Sequence, residues 1–582
     1  MPKKPTVISE RVDDIPVLIT QMRHMQLASL LDQHFTPHGN WNSLTPGQLS
    51  VLWLTYILSE GDHRLNQLEP WWEAHQLTLA SCLAADIRRQ DASDDHLAHL
   101  LDLLSDDDGW ASFEQACGPT LLRTYGLTPR FHRVDSTSAS GYGQVTPDGL
   151  FQFGHSKDHR PDLPQVKIKL TTLDPLGLPL VTQVVPGSSS DDPLYVPAIR
   201  QAQACLAERG VTHVGDSKMG ALDTRAYIQH SGDYYLLPLN LVQFPAEALE
   251  ARLAPVWSKT QAQRLTTVYA PAEAGQPREK LGAGFEWQET LQATVAGTPI
   301  TWTERRLLVQ SQRYAEAQEK SLRTHLAQAQ TALLALNQRG RGRRSYPEQG
   351  PLQEAATALL AQHEVTELLQ VTYHAQTTER VVRAYGDRPA RTLTTTDYQL
   401  RVKVKAKALK QAIQRLGWRV YATNHTAQEL SLPQAVLAYR QQYLEEQGFG
   451  RFKGHSLALA PMYLSYDQRV VGLIRLLSLG LRVLTLVEFE VRRNLQQAKD
   501  QLAGLYAGQP KRATARPTTE LLLRAFKGVS LVVLQTGSTQ VRHLTELTPA
   551  QKRILKLLKF PATLYTRLES NSLKPAHEMG EP

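Results

Sequence analysis

The chain has 582 residues, 42% of them hydrophobic and 21% charged, an ordinary globular composition that excludes extensive disorder and allows two to four domains. Its 64 lysines and arginines outnumber 56 aspartates and glutamates, and the resulting charge of +8 fits a nucleic-acid partner without demanding one. The three cysteines, Cys82, Cys117 and Cys205, lie far apart and form no CxxC, which argues against a disulfide framework or a cysteine zinc site.

Met1-Pro2-Lys3-Lys4-Pro5 precedes no apolar run, so no signal peptide is expected. Residues 17–125 read as helical. Thr45-Pro46-Gly47-Gln48 has the form of a capping box with proline at the first helical position, and 49–58 is apolar enough to be buried on most sides. A helical N-terminal domain, 1–126, follows, either a reader of DNA ends or a scaffold for what comes next.

Short strands are predicted at 131–135 and 150–153. Residues 166–172 alternate apolar and polar, the period of a strand buried on one face, and the turn Asp174-Pro175-Leu176-Gly177 leads to a hairpin partner at 180–185. Then come a helix at 192–208, a strand at 211–215 ending in Asp216, a helix at 221–229 and a strand at 234–239. From 242 to 416 this order breaks into paired strands at 285–295 and 300–309, a helix at 315–336, a basic linker at 339–344 and a basic strand at 398–405. Core-like strand character resumes at 418–423. The domains expected are thus 127–241 and 417–509 as two parts of one core, 242–416 as an insertion, and 510–582 as a C-terminal region with a disordered tail from Asn571. The most apolar stretch, 470–487, carries Arg475 and Arg482, which favour a buried helix over a membrane span.

Asp135 and Asp216 each end a short strand and each precede a serine. Strands laid side by side would bring both carboxylates to one edge of a sheet, where hard divalent ions take oxygen ligands. Turn or helix capping is the ordinary explanation of a single such residue. Asp191-Asp192 compete with Asp216 for the second role, but they precede a proline at a helix start and capping explains them. The third acid is sought on a helix after the insertion. Tyr439, Tyr443, Glu446 and Lys453 are spaced by 4, 3 and 7, which places them on one helical face, with Glu445 as runner-up about 100° round the helix. Lys157 and Arg160 are candidate phosphate contacts beside the site. The set His155, Asp158 and His159 would need a helix for zinc, and Gly154, Pro161 and Pro164 disfavour one. Trp287 and Trp302 in the insertion read as packed core before they read as holders of a flipped base.

Together the stretch 131–167, the acids, and the flanking segments 417–424 and 459–464 resemble DDE transposases of the insertion-sequence-four group. The family's YREK motif is Tyr, two residues, Arg, three residues, Glu, six residues, Lys. Tyr439, Glu446 and Lys453 match it, and Gln442 stands at the arginine position. The resemblance spans 131–241 and 418–494, roughly a third of the chain. It implies an α/β fold with a ribonuclease-H-like mixed-sheet core interrupted by a large insertion. It also implies that Asp135, Asp216 and Glu446 are the catalytic, metal-binding acids, with Tyr439 and Lys453 contacting DNA. Two Mg²⁺ ions per site are expected, replaceable by Mn²⁺. The expected partners are double-stranded DNA, as transposon ends and target, and further copies of the chain assembled on it as a homodimer or higher. No membrane is involved, and the expected location is the prokaryotic cytoplasm. The rivals are a ribonuclease-H-like nuclease without strand transfer and an inactive DNA-binding descendant.

Overall fold

The computed structural model describes residues 6–570 except 38, 40, 42, 86, 207, 208, 258–262, 272–276, 341, 387, 388, 537 and 538. The tail expected to be disordered from Asn571 lies outside the described residues. The chain is mixed α/β and divides into two compact units. One comprises Met1–Leu237, Thr290–Trp302 and Ala438–Pro582; the other comprises Pro238–Glu289 and Thr303–Leu437.

In the first unit, β1 (Phe131–Ser140), β2 (Gln165–Leu173), β3 (Leu178–Pro186), β4 (Thr212–Gly215) and β5 (Tyr234–Pro238) lie in the order β3-β2-β1-β4-β5. β1, β2 and β3 are mutually antiparallel, whereas β4 runs parallel to β1 and β5 parallel to β4. Parallel neighbours need a crossover. Helix Tyr195–Leu206 leads into β4, and helix Leu222–His230 connects β4 to β5. β1 runs five residues beyond the strand predicted at 131–135. Its Ser136 to Ser140 are poor strand formers, but each pairs with β2, from Ser136 opposite Lys169 to Ser140 opposite Gln165. Cross-strand pairing overrides local propensity here.

A single hydrophobic core joins this sheet to the N-terminal helices and to the C-terminal segment, with Trp53, Leu101, Phe113, Ile168, Leu477 and Phe526 all among its buried members. The capping box forms: Thr45 Oγ1 accepts from Gln48 N at 3.2 Å, with Pro46 in the first turn. Helix α1 (Asp107–Tyr125) packs on β3, and the apolar run predicted at 470–487 is the middle of a 32-residue helix, Asp467–Ala498. Among the described residues this is the one helix long and apolar enough to cross a membrane, and nearly all of its apolar window is buried within the protein. Its two buried arginines are paired there, although Arg475 Nε and Arg482 Nη1 are left without a partner. Arg475 donates to the carbonyls of Leu104 and Asp106, and Arg482 donates to Glu114 Oε1 at 2.6 Å and to the carbonyls of Pro179 and Leu180. A buried guanidinium is tolerable when paired in this way. Strand Thr6–Arg11 pairs antiparallel with Ser530–Thr536, which in turn pairs with Thr539–Leu544.

The second unit has its own cores. Strand Trp418–Thr423 runs antiparallel to Thr298–Ser311, with Trp418 opposite Gln310. A two-stranded ribbon, Leu369–Val382 with Arg391–Val404, encloses Leu369 and Leu400 against Leu326 and Leu333 of helix Gln312–Ala335 and Leu352 and Leu360 of helix Gln349–Gln362. Only the end of its second strand was expected from the sequence.

Candidate active site

The register of the parallel pair brings two of the acids together. Val134 on β1 lies opposite Gly215 on β4, so the next residue of each strand, Asp135 and Asp216, falls at adjacent positions about 4.8 Å apart along the sheet. Asp135 is mostly buried, accepts from the Ser136 amide at 2.7 Å, and has Lys157 Nζ 3.6 Å away. Burial pushes its carboxyl up; Lys157 and the Ser136 amide counter this, and Asp216 adds to it. Asp216 is held by two donors, the Lys218 amide at 2.9 Å and the Tyr195 hydroxyl at 2.7 Å.

The segment 432–453, where the third acid was sought, departs from the motif match. Helix Leu432–Arg440 ends before a turn at 441–442, and a new helix, α2 (Tyr443–Lys453), begins after it. Tyr439 and Tyr443 therefore do not share one continuous helical face. Within α2, Phe449 and Phe452 form the buried stripe, and Glu445, four residues before Phe449 and seven before Phe452, lies on it. Glu445 is 3% exposed, and one carboxylate oxygen, Oε1, has no hydrogen-bond partner. Burial pushes its carboxyl well above the usual range, Asp135 raises it further, Arg133 opposes, and Asp174 and Asp216 add to the rise. Of the two adjacent glutamates, Glu445 lies within electrostatic range of Asp135 and Asp216, and Glu446 is exposed. The apolar spacing of Phe449 and Phe452 was the signal for this in the sequence, and the motif spacing overrode it.

Alternation along β1 places Arg133, Asp135 and Thr137 on one face. Arg133 is fully buried and donates to Asp174 through Nε (2.8 Å) and Nη2 (2.7 Å) and to the carbonyl of Ala438. Lys453, at the end of α2, donates to Thr137 Oγ1 at 2.9 Å, to the Ser138 carbonyl, and to Asp158. These contacts bracket Asp135 and fix the segment from Ala438 to Lys453 against that face. Asp158, one of the residues weighed as a zinc ligand, is thus committed to Lys453 and to the Ser140 amide.

The side chains of Ser136, Lys167 and Lys169 point to the other face. Asp191, explained from sequence as a cap, makes no capping bond; its carboxylate takes Lys167 at 3.0 Å, the Ser136 hydroxyl at 2.9 Å, and Lys218. Burial works against its charge, but these three donors hold it well below the carboxylate range. Lys169 Nζ has no hydrogen-bond partner and sits 3.5 Å above the centroid of the Tyr195 ring; burial brings its pKa down to about 8 against the pull of Asp191, Asp216 and Asp135. Arg160 lies at the exposed rim, paired with Asp162. Trp302 is buried, and its ring nitrogen donates to the Tyr235 hydroxyl at 2.9 Å, a packed-core role. In the second unit, Trp287 is half-buried under the Arg252 guanidinium.

Among the described residues, no three His, Cys, Asp or Glu side chains are already arranged around a metal position. The donor set nevertheless has the chemistry of a hard-cation site: oxygen-only ligands, a buried orphan oxygen on Glu445, and carboxyls that raise one another in the absence of a cation.

No family model matches this chain, and no curated protein matches it. Among solved structures, a piggyBac transposase in a synaptic complex with hairpin DNA aligns over 97% of this chain and 87% of its own, at 8% identity and a TM-score of 0.32, too low to define a common fold.

Proposed function

We propose that this chain is a DDE transposase with a ribonuclease-H-like core, acting through Asp135, Asp216 and Glu445. The observation that carries the reading is the gathering of three carboxyls from a strand, a strand end and a distant helix into mutual electrostatic range. The sheet order β3-β2-β1-β4-β5, antiparallel for the first three strands and parallel for the last two, supports the core assignment. Tyr439 and Lys453 support membership of the insertion-sequence-four group, while Gln442 and the break in the helix at 441–442 depart from its pattern.

Asp135, Asp216 and Glu445 are the residues that would hold two Mg²⁺ ions. When bound, such ions supply Lewis-acid stabilisation of the attacking and leaving oxygens of a phosphodiester. The chain's own residues do the positioning. Tyr195 and the Lys218 amide fix the rotamer of Asp216, and the Ser136 amide fixes Asp135. Lys157 stands beside Asp135, and Lys453, held by Thr137 and Asp158, would exchange a partner for phosphate; these are the ammonium groups that would orient one. The substrate would be double-stranded DNA bearing the element's terminal repeats.

The test is a reaction in Mg²⁺ on DNA carrying the sequences that flank the gene, with joining to a second plasmid measured. Cleavage at both ends followed by joining is expected from the native chain, and neither from Asp135→Ala or Asp216→Ala. Cleavage that never yields joined product would make the protein a nuclease. Binding without either activity would make it an inactive descendant.

A further inference from the structure

Beside the site, two tyrosines are arranged in a way that core packing does not explain. Tyr142 and Tyr463 are 56% and 73% exposed, yet their rings stack on each other, with centroids 5.1 Å apart and planes 20° from parallel. The backbone holds them there. Tyr142 follows directly on β1 and its bridge residue Gly141, and its amide donates to the Met462 carbonyl at 2.9 Å. The Met462 amide donates back to the Ser140 carbonyl at 3.2 Å, and the Met462 side chain is fully buried. Two strands of chain thus present two aromatic faces to solvent on a rigid base. Tyr466, 61% exposed and three residues further on, carries the Arg469 guanidinium 4.9 Å above its ring. Arg160 lies within electrostatic range of the Tyr142 hydroxyl. Each arginine has an acidic partner, Asp102 for Arg469 and Asp162 for Arg160, but a guanidinium has five donors and keeps some of them for a ligand.

The geometry points to a stacking platform for unpaired nucleobases, formed by Tyr142 and Tyr463 with Arg160 at its edge. The inference rests on the proposal that the chain processes DNA. Every base has a π-face, so an exposed, pre-ordered aromatic pair captures single strands without regard to sequence, and nearby arginines add planar cationic contacts. Arg160 beside Tyr142 and Arg469 over Tyr466 are the cationic groups next to these rings, a pairing of aromatic face and positive charge that a nucleobase and its phosphates would use. The platform follows Asp135 by seven residues along β1, roughly 20 Å at about 3.3 Å per residue. A strand whose phosphate sits at the acids would meet the tyrosines several nucleotides away, where a strand freed by cleavage is unpaired.

The experiment is fluorescence anisotropy of a 12-nucleotide single strand and of the matching duplex, titrated with the full chain in metal-free buffer. Tyr142→Ala with Tyr463→Ala is expected to weaken single-strand binding about tenfold or more while changing duplex binding less than threefold. The paired Phe variant, which keeps both rings, should bind the single strand within threefold of the native protein. Unchanged single-strand affinity in the double-alanine protein would overturn the inference, as would an equal loss on duplex. A change of mass in light scattering with strand affinity intact would overturn it too, and assign the tyrosines to contact with a second copy. Cleavage in Mg²⁺ is scored separately: a native protein that binds single strands through these rings but cuts nothing refutes the transposase reading and leaves the platform standing.

Discussion

Exchanging Glu445 and Glu446 in turn for glutamine separates the geometry of α2 from the spacing of its motif. Both substitutions replace a carboxyl by an amide of nearly the same shape at adjacent residues. Glu445 is buried on the stripe with Phe449 and Phe452, within range of Asp135 and Asp216, and Glu446 faces solvent. A metal-held carboxylate at a phosphoryl-transfer site commands several kcal/mol of transition-state stabilisation. At 1.36 kcal/mol per factor of ten, a loss of about 3–5 kcal/mol slows cleavage by about 10² to 10⁴. Glu445→Gln should fall in that range in a single-turnover assay, and Glu446→Gln should stay within about threefold of the native rate. A second readout depends on charge alone. The Glu445 carboxyl is raised in the folded protein, so between its unfolded and folded pKa values the folded state binds more protons. Stability of the metal-free protein then falls as pH rises through that window, by at most about 1.4 kcal/mol per pH unit. Glu445→Gln should make that slope shallower, leaving the share of other raised carboxyls such as Glu114 and Asp135, as measured by thermal melts from pH 5 upward. Saturating Mg²⁺ should reverse it in the native chain, because a cation favours the ionised form. Full activity of Glu445→Gln together with an inactive Glu446→Gln would refute the placement of Glu445.

Lys453→Ala should weaken binding to duplex DNA and make the dependence of log affinity on log salt shallower by about 0.9, the share of one phosphate contact, as read by gel shift at several salt concentrations; an unchanged slope would deny it that role. Arg133→Met leaves Asp174 buried without its bidentate partner and should cost about 3–5 kcal/mol in chemical denaturation, with part of the loss restored by adding Asp174→Asn. His132, buried beside His213 with neither ring nitrogen bonded, has its pKa lowered to about 3 by burial and then by His213. A histidine depressed in the fold means that the unfolded chain binds more protons from about pH 6.5 down, so stability is lost as pH falls through that window, by about 2 kcal/mol at pH 5. His132→Leu should flatten this acid limb in denaturation curves taken from pH 7 to pH 4, and a limb of unchanged steepness would show that His132 does not cause it.

β2 was legible as a strand from the period-two alternation of Val166, Ile168 and Leu170, but it is buried on both faces, Lys169 and Thr171 included, so the solvated face expected from the sequence is not found. The buried helix at 470–487 was legible because two arginines inside an apolar run exclude lipid, although nothing local named Glu114 as the partner of Arg482. The far half of β1 was not legible, since Ser136 to Ser140 become strand only through β2. Asp216 could be read from its place just past a strand end, whereas Asp135, expected to end a strand, lies in the middle of β1, and their adjacency lies in a register that no local pattern states. At α2, helical phase was read from a point before the turn at 441–442, and a turn resets phase. Taken from Phe449 and Phe452 alone, the same reasoning selects Glu445. Asp191 illustrates the opposite limit: it sits where caps sit, and only the approach of Lys167, Lys218 and Ser136 from other elements gives it another task.

The pairing of Thr6–Arg11 with Ser530–Thr536 has a consequence in time. Between Arg11 and Ser530 lie 518 residues, and a ribosome adding about 5–20 residues each second needs roughly half a minute to two minutes to cross them. Throughout that interval the first strand has been made and its partner has not, so its edge is open to wrong pairings unless something shields it. The same delay governs competence. Asp135 and Asp216 emerge early, but the helix that carries Glu445 and the long helix that anchors it are translated last among the parts of the site. A polypeptide released before then holds two of the acids and no fold to aim them.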